Sequence, residues 1–540
     1  MQPNTLTGNL VNVITGEIYG ATITFTDTIQ SVVATGKKYD TFIAPGFIDA
    51  HIHVESSMLC PSRFAETVAP HGTVATVSDP HEIANVLGIP GIKYMIADAA
   101  NTPLKIRFTA PSCVPATPFE SAGATLGPEE VAEILALPEV VALGEFMNFP
   151  GVINRDKMCM AKIDAAKKAG KPIDGHAPLV TGDGLQKYAS AGITTDHECT
   201  TAEEANEKSR LGLKILIREG SSAKNMEALI GIKAPFAIVS DDKHPDDLLK
   251  GHLDSTLAKA VALGMNPVVA LQCVTINPAT HYGLDTGVIA PGRPADLVVL
   301  KDLKNFSVMA TYVDGMKIAE DGKALFTAEP LQTESGMQFT IPEREVLQIA
   351  CTGATALVRT IKIIPDQIVT DEGEAMLPVV DGTLRLSRGQ DVLKIVVADR
   401  YGHGNIAVAF VEGLGIKEGA IASTVAHDSH NMIVAGTDDE YILTAMAALA
   451  ETGGMAVVTP NETTVLELPI AGLMTDKPAK HVAARMDELN ALVKGQGCPL
   501  HAPFMTLSFL ALLVIPKLKL SDKGLFDGGT FSFVDVIKTH

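Results

Sequence analysis

Cysteine is scarce in this 540-residue sequence, and its arrangement does not indicate a disulfide framework. The cysteines are odd in number, widely scattered and free of any C-x-x-C pair: Cys60, Cys113, Cys159, Cys199, Cys273, Cys351 and Cys498. This pattern is typical of reduced thiols in a cytosolic enzyme. The N-terminal residues also lack a basic region followed by an apolar one, so we expect no secretory signal and a cytoplasmic location.

Positive charge and long apolar runs are also in short supply. The sequence has 43 Lys and Arg against 63 Asp and Glu, a formal net charge of −20, and no basic cluster is visible. Such a chain repels a phosphate backbone, so nucleic acid is not an expected partner. The most apolar tract, residues 504–516, is shorter than the roughly 20 residues that cross a bilayer. We predict a buried helix there, and no membrane partner.

What is present favours a large folded enzyme. The hydrophobic fraction is 46%, there are 46 glycines, and no long run of like charge indicates disorder. The length exceeds that of one ordinary hydrophobic core, which suggests two to four domains.

Apolar runs of β type alternate with helical patterns between residues 46 and 284, which favours a parallel sheet with crossover helices. We count eight such runs, ending near His53, Asp79, Pro111, Glu145, His176, His197, Arg218 and Asp241. The predicted fold class is therefore α/β, with a (β/α)8 TIM-type barrel. Residues 1–45 and 285–335 have short β patterns and are expected to pair as a small β-sandwich domain. Residues 336–540 are predicted to form a C-terminal mixed α/β domain.

Polar residues cluster at the predicted strand ends. His51 and His53 are two residues apart in an extended run, so their imidazoles project to the same side and can chelate one cation. Other strand ends supply the further candidates Glu145, His176, His197 and Asp241. Singly, each could be a structural histidine or a helix cap. Together, four imidazoles and two carboxylates suit two divalent ions of the Mn, Fe or Zn kind.

The strings around these residues resemble the amidohydrolase superfamily. The resemblance is carried by Pro45-Gly46-Phe47-Ile48-Asp49-Ala50-His51-Ile52-His53 and by Pro291-Gly292-Arg293-Pro294-Ala295-Asp296-Leu297. Within the superfamily the chain is most similar to the adenine deaminases of the bacterial type. That similarity is carried by His53-Val54-Glu55-Ser56-Ser57-Met58, Ser78-Asp79-Pro80-His81-Glu82-Ile83 and Ala426-His427-Asp428-Ser429-His430-Asn431, and it spans nearly the whole chain.

The resemblance implies a binuclear centre and a deaminase reaction. One metal would be held by His51, His53 and Asp241, the other by His176 and His197, with Glu145 bridging where many relatives use a carbamylated lysine. Mn²⁺ or Fe²⁺ is expected, and Zn²⁺ is possible. A metal-bound hydroxide would attack C6 of adenine, with Asp241 transferring the proton, to give hypoxanthine and ammonia in purine salvage. The resemblance also suggests a homodimer or larger assembly.

Further polar residues are expected near the barrel mouth. Six candidates could contact the purine or support the metal-bound imidazoles: Glu55, Ser56, Asp79, His81, Glu82 and Arg218. We favour the supporting role for Asp79 and Arg218. Asp242 is expected to point away from the site, because neighbours on a strand face opposite sides.

A dense polar group, His427, Asp428, His430 and Asn431, lies far from the barrel in sequence. It is either a turn held by local hydrogen bonds or a loop that closes over a barrel mouth. In the second case His427 and His430 would belong to the site.

Two other functions fit parts of the pattern. The same metals could hydrolyse a cyclic amide or deaminate another heterocycle, although Glu145 in place of lysine speaks against the dihydroorotase-like branch. A non-catalytic scaffold is disfavoured because all six candidate ligands are present.

Overall fold

The computed structural model describes residues 3–365, 367–387 and 389–538. The described residues do not include Met1 and Gln2 of the predicted N-terminal β segment, or Thr539 and His540 of the predicted C-terminal domain.

The first four elements are strands: β1 Asn4–Asn12, β2 Glu17–Phe25, β3 Ile29–Ala34 and β4 Phe42–Pro45. It continues with β5 Phe47–Ile52, α1 Pro61–Val68, β6 Thr73–Ser78, α2 His81–Ala99, β7 Lys105–Ala110, α3 Pro128–Leu135, β8 Val140–Phe146, α4 Phe149–Ile153, α5 Lys157–Ala169, β9 Ile173–Gly175, α6 Gly182–Ser190, β10 Thr195–Asp196, α7 Ala202–Arg210, β11 Lys214–Arg218, α8 Met226–Leu229, β12 Phe236–Val239, α9 Pro245–Leu248, α10 Leu253–Ala262, α11 Pro267–Cys273 and α12 Ile276–Tyr282.

The remaining elements follow residue 296. They are β13 Leu297–Leu300, β14 Val308–Val313, β15 Met316–Glu320, β16 Lys323–Ala324, β17 Thr355–Ile363, β18 Thr370–Val380, β19 Thr383–Leu384, β20 Val392–Ala398, β21 Ile406–Glu412, β22 Ala420–Ser423, β23 Met432–Gly436, α13 Asp439–Leu449, β24 Gly454–Val458, β25 Thr463–Glu467, α14 Ala479–Gly495, α15 Pro503–Phe509, β26 Leu518–Ser521, β27 Gly524–Asp527 and β28 Ser532–Phe533.

Strands β5 to β12 form the predicted barrel. Strands β5–β9 pair in parallel, as do β10–β12, in chain order. The two groups are linked where the Thr194 amide donates to the Ile173 carbonyl at 2.8 Å. The ring closes where Asp241 N donates to His51 O at 3.0 Å and His53 N donates to Asp241 O at 3.2 Å. This closure places the first and last strand ends side by side.

The segments before and after the barrel share one eight-stranded sheet, in the order β16-β15-β14-β13-β4-β1-β2-β3. The predicted pairing is confirmed, since β4 is antiparallel to β13. The sheet folds over on itself: Phe25 of β2 and Tyr312 of β14 contact edge to face at 5.7 Å between ring centroids, although three strands separate β2 from β14. The sandwich therefore consists of one curled sheet, and the exact boundaries of the three domains stay a prediction.

The C-terminal part is a nine-stranded sheet, in the order β19-β18-β17-β21-β20-β23-β22-β24-β25, with helices α13 to α15 and the small sheet β26–β28. Helix α13 begins at Asp439, because the Asp438 carboxylate accepts the amides of Glu440 and Tyr441 and so caps the helix. The buried helix predicted over 504–516 is shorter, ending at Phe509. Within the described residues, no helix combines the length and apolarity needed to cross a membrane.

Lys519 of β26 is a fully buried lysine whose Nζ donates to two carbonyls, Ile368 O at 2.8 Å and Phe509 O at 2.9 Å. Burial lowers the pKa of Lys519 to about 7. The unfolded chain, with a lysine pKa of about 10.4, binds more protons than the folded chain between these two values. Stability should therefore rise with pH over this window, and the rise should be absent in Lys519→Met.

This prediction is checked by thermal melts of both proteins at about pH 7 and about pH 9.5. The Tm difference, wild type minus variant, should become more positive at the higher pH. Lys480→Met, at an exposed position of α14, should show no such trend. A pH-independent difference for Lys519→Met would contradict the prediction.

Candidate active site

The six predicted metal ligands come together at the carboxyl ends of the barrel strands. His53 Nε2 lies 3.2 Å from Glu145 Oε1 and 3.3 Å from Asp241 Oδ1. His51 Nε2 lies 3.5 Å from the same Asp241 oxygen. The carboxyl end of β5 lies between β6 and the segment after β12. His53 therefore reaches both Glu145 of β8 and Asp241, and His51 reaches Asp241.

Glu145 also contacts the second pair of histidines. Its Oε2 lies 2.7 Å from His176 Nδ1 and 3.2 Å from His197 Nε2. The rings of His51 and His197 stack at 4.2 Å between centroids. One carboxylate therefore faces imidazoles of both predicted groups, which is the position required of a bridging ligand.

The donor set fits divalent cations. His53 Nδ1 lies 3.0 Å from the Asp79 carbonyl, which can only accept, so this nitrogen carries the proton and leaves a lone pair on Nε2. His51 Nε2 is buried without a hydrogen-bond partner among the described residues. Ligand atoms of His51, His197 and Asp241, and those of Glu145, His176 and His197, lie within 4.8 Å of one another. Imidazole nitrogens and carboxylate oxygens at this spacing suit Mn²⁺, Fe²⁺ or Zn²⁺.

Both carboxylates of the cluster are held in the ionised form. Burial would raise the pKa of Asp241, but His51, His53 and Arg218 outweigh burial and hold that pKa well below its usual range. Burial opposes ionisation of Glu145 too, and the surrounding histidines again lower its pKa. Ionised carboxylates are the form that binds a metal.

Asp79 and Arg218 both contact candidate ligands, and their supporting role stays a prediction. Asp79 Oδ2 accepts the Glu145 amide at 2.9 Å, while the Asp79 carbonyl orients His53. Arg218 Nη1 donates to Asp241 Oδ2 at 2.9 Å. These contacts orient the side chains of His53, Glu145 and Asp241 and leave Asp241 Oδ1 and His53 Nε2 facing the cluster.

Glu198 belongs to the site and was not predicted. Arg218 donates two hydrogen bonds to the Glu198 carboxylate, one of them from Nη2 to Oε2 at 2.9 Å. Glu198 Oε1 lies 3.5 Å from His197 Nε2. The signal in the sequence was its position directly after His197 at a strand end.

The expected orientation of Asp242 is wrong. Its Oδ1 accepts a hydrogen bond from Ser56 Oγ at 2.5 Å, and its ligand atoms lie within 4.8 Å of those of His53 and Asp241. Strand β12 has already ended at Val239, and Asp241 has a left-handed φ of 60°. The alternation of a regular strand therefore does not apply, and Asp242 stays on the side of the site.

The loop of residues 426–431 contacts the mouth of its own barrel, as in the second of the two alternatives; the part of His427 and His430 in the site stays a prediction. His427 Nδ1 lies 3.0 Å from Glu82 Oε1, and His430 Nε2 is hydrogen-bonded to Glu82 Oε2. His427 also stacks on Phe509, at 5.2 Å between centroids. The C-terminal part thus contributes directly to the site.

His430 has a defined tautomer, and hydrogen bonds hold the cluster of Glu82, His427 and His430 together. Its Nδ1 accepts the Ala426 amide at 3.1 Å, so its proton is on Nε2 and is donated to Glu82. Burial lowers the pKa of His430 to about 4, which keeps the ring neutral. Burial opposes protonation of His427 as well, but Glu82 overcomes it and raises the pKa of His427 to about 9. Because His430 Nε2 has no lone pair, these three side chains do not form a further cation site.

The remaining predicted residues also lie at the mouth. His81 Nε2 lies 3.3 Å from Glu82 Oε1, and its Nδ1 lies 3.6 Å from Glu145 Oε1. Glu55 Oε1 accepts the Ile83 amide at 3.3 Å, and its buried Oε2 has no hydrogen-bond partner among the described residues. Burial raises the pKa of Glu55 to about 7. Ser56 is engaged with Asp242.

A cavity between the barrel and the C-terminal part adjoins this cluster. Ser56 and Asp242 line its barrel side. Its other walls are largely apolar and include four methionines, Met58, Met455, Met486 and Met505. An apolar space beside polar groups is typical of a site for a flat organic ring.

The comparisons with known proteins agree with this architecture. Residues 42–318 match the Amidohydrolase family, and residues 367–532 match the adenine deaminase C-terminal domain. An adenine deaminase of Methanothermobacter thermautotrophicus is 50% identical over 99% of this chain and 100% of its own length. Those of Methanosphaera stadtmanae (49% identical, 98% of this chain, 99% of its own) and Sulfurovum sp. (47% identical, 98% of each chain) are similar.

Proposed function

This chain belongs to the amidohydrolase family, among its adenine deaminases, and we propose that its active site is the six-ligand cluster at the barrel mouth. The enzyme is a hydrolase of C–N bonds: adenine and water give hypoxanthine and ammonia. The observation that supports this location is the convergence of four imidazoles and two carboxylates from separate strands. A role in purine salvage follows from the reaction.

We propose two divalent ions per chain, Mn²⁺ or Fe²⁺ in preference to Zn²⁺. His51, His53 and Asp241 would hold one, His176 and His197 the other, and Glu145 would contact both. When bound, the ions lower the pKa of water toward about 7 and so supply hydroxide at neutral pH.

Asp241 is proposed to move the proton. Its Oδ1 faces His51 and His53, while Arg218 holds Oδ2, so the carboxylate has one orientation. The Asp241 carboxylate would take a proton from the attacking water as the new bond to C6 forms. The same proton would pass to the amino nitrogen, because ammonia leaves readily and an amide ion does not. The C6–N bond then breaks, and hypoxanthine carries the oxygen.

The mouth residues are proposed to orient the purine. Glu55 and Ser56 lie on the barrel side, with His81 and Glu82 beside them. His427 and His430 fix Glu82 from the opposite domain. Binding in this space would exclude water from the ring, and the adjoining methionine-lined cavity would receive apolar parts of the base.

The direct test is loss of adenine absorbance on conversion to hypoxanthine, measured with metal-depleted protein before and after Mn²⁺ is added. Activity should be absent before addition and restored when about two ions per chain are bound. Turnover of a different purine or a cyclic amide, with none of adenine, would refute the substrate assignment. Turnover by protein free of metal would refute the proposed centre.

His430→Ala is expected to lower kcat/KM for adenine by about 10- to 100-fold. Glu82 would lose one of the two imidazole donors that the C-terminal loop supplies and would turn from its position in the mouth. His403→Ala, whose side chain is 53% exposed in the same domain, should have little effect. Unchanged kcat/KM for His430→Ala would remove the loop from the proposed site.

We also propose a cytoplasmic location and a homodimer or larger assembly. The location is supported by seven free cysteines, six of them buried. The assembly is proposed from the family resemblance, and sedimentation or light scattering of the pure protein measures it.

A further inference from the structure

Asp428 is a buried carboxylate at the mouth that the proposed chemistry leaves without a role. It lies in the loop that closes the barrel, and only 5% of the residue is exposed. Its Oδ2 is buried with no hydrogen-bond partner among the described residues, while its Oδ1 lies 3.8 Å from His427 Nδ1. Leaving a buried carboxylate oxygen unpaired costs free energy, so a ligand that donates a hydrogen bond here would be favoured.

The neighbouring carboxylate is already satisfied. Glu82 Oε1 is contacted by His427 at 3.0 Å and by His81 at 3.3 Å, and its Oε2 accepts from His430. Asp428 is close enough for the Glu82 charge to add to burial in raising its pKa to about 6. Glu82 belongs to the barrel and Asp428 to the C-terminal part. Of these two carboxylates, Asp428 is the one with an oxygen that has no hydrogen-bond partner among the described residues and is available to a substrate.

The chemistry of adenine decides which hydrogen bond fits. C6 must face the six ligands, where its amino group is replaced. Asp428 approaches from the opposite domain, and in the described residues none of the four ligand imidazoles lies within 4.0 Å of its carboxylate. The edge of the purine remote from C6 carries N3 and N9, and in the free base N9 can bear a hydrogen. In a nucleoside a sugar replaces that hydrogen.

We propose that Asp428 accepts a hydrogen bond from the N9–H of adenine and thereby selects the free base against nucleosides and other N9-substituted purines. The inference rests on the proposed function of the site. It assigns to the C-terminal part a role in substrate specificity, in addition to closing the barrel. The contact is charge-assisted and desolvated, which is the kind of hydrogen bond that discriminates most strongly between a substrate and an analogue lacking the donor.

The experiment compares adenine with 9-methyladenine as substrates of the Mn²⁺-loaded wild type and of Asp428→Ala. Wild type should prefer adenine by about 10- to 100-fold in kcat/KM. In Asp428→Ala the rate with adenine should fall, and the ratio of the two kcat/KM values should approach one. Metal content and Tm establish that the variant is folded and loaded.

Glu120→Gln is the matched control, because Glu120 is a buried carboxyl whose pKa is raised by burial and by the nearby Asp428 charge. The preference of this variant for adenine should equal that of wild type. If Asp428→Ala does not fold, competitive inhibition of wild type by purine and 9-methylpurine replaces it, with the methylated compound expected to bind about 10-fold more weakly or worse. Equal inhibition constants would overturn the inference, as would an undiminished preference in Asp428→Ala. Inactivity of loaded wild type toward adenine would instead overturn the proposed function.

Discussion

Glu145→Gln is expected to lower kcat/KM for adenine by more than about 100-fold, beyond the range typical of residues that only support a ligand. The substitution keeps the size of the side chain and removes its charge. Glu145 faces the imidazoles of three candidate ligands, at 3.2 Å for His53, 2.7 Å for His176 and 3.2 Å for His197, so all three would lose their common anionic partner. Metal analysis should show fewer ions per chain than in wild type.

Glu133→Gln provides the control for a lost glutamate charge on the barrel. Glu133 is an exposed residue paired with Lys93, and its substitution should leave both metal content and kcat/KM unchanged. Full metal content and nearly normal activity in Glu145→Gln would contradict the bridging role.

Asp241→Asn is expected to reduce kcat by about 10²- to 10⁴-fold, the range typical of a lost general acid–base group. The amide can still accept hydrogen bonds at one oxygen, but it does not take a proton from water. Arg218 would also lose its ionic partner at Oδ2. Steady-state kinetics with adenine at saturating Mn²⁺ would measure the effect, because excess metal compensates for weaker binding and leaves the loss of proton transfer.

Asp242→Asn is a demanding control, because the two residues are adjacent and both lie beside His53. Asp242 accepts from Ser56 and has no contact with Arg218 in the described residues. Its substitution should therefore cost less than about 10-fold in kcat. Equal losses in the two variants would show that Asp241 has no special part in proton transfer.

Local sequence was sufficient to predict the barrel and the cluster of polar residues at its strand ends. Most strands are short, largely apolar runs with a polar residue at or next to the carboxyl end. The strands as observed end within two residues of the predicted positions, at Ile52, Ser78, Ala110, Phe146, Gly175, Asp196, Arg218 and Val239. Carboxyl ends of parallel strands share one face of a barrel, so membership of the cluster followed from position in the chain. The resemblance to the amidohydrolases then supplied the division of the ligands between two ions.

Local sequence was insufficient where the backbone departs from regular geometry. Asp242 was expected to face away because strand residues alternate, yet the left-handed φ of Asp241 keeps both side chains at the site. Glu198 was overlooked because its role depends on Arg218, twenty residues later and on the next strand. A pairing of that kind has no signature in the spacing of either residue.

The sequence by itself determined the barrel, the family and which polar residues meet at the strand ends, because these depend on periodicity and on position in the chain. Only the tertiary structure decided that the loop of residues 426–431 closes this chain's own barrel. Glu82 and His430 are 348 residues apart, and their contact depends on how two separately formed sheets pack. The same packing buries Asp428 with one oxygen that has no hydrogen-bond partner in the described part of the chain. Long-range contacts of this kind arise from the complementarity of whole surfaces, which short sequence patterns do not encode.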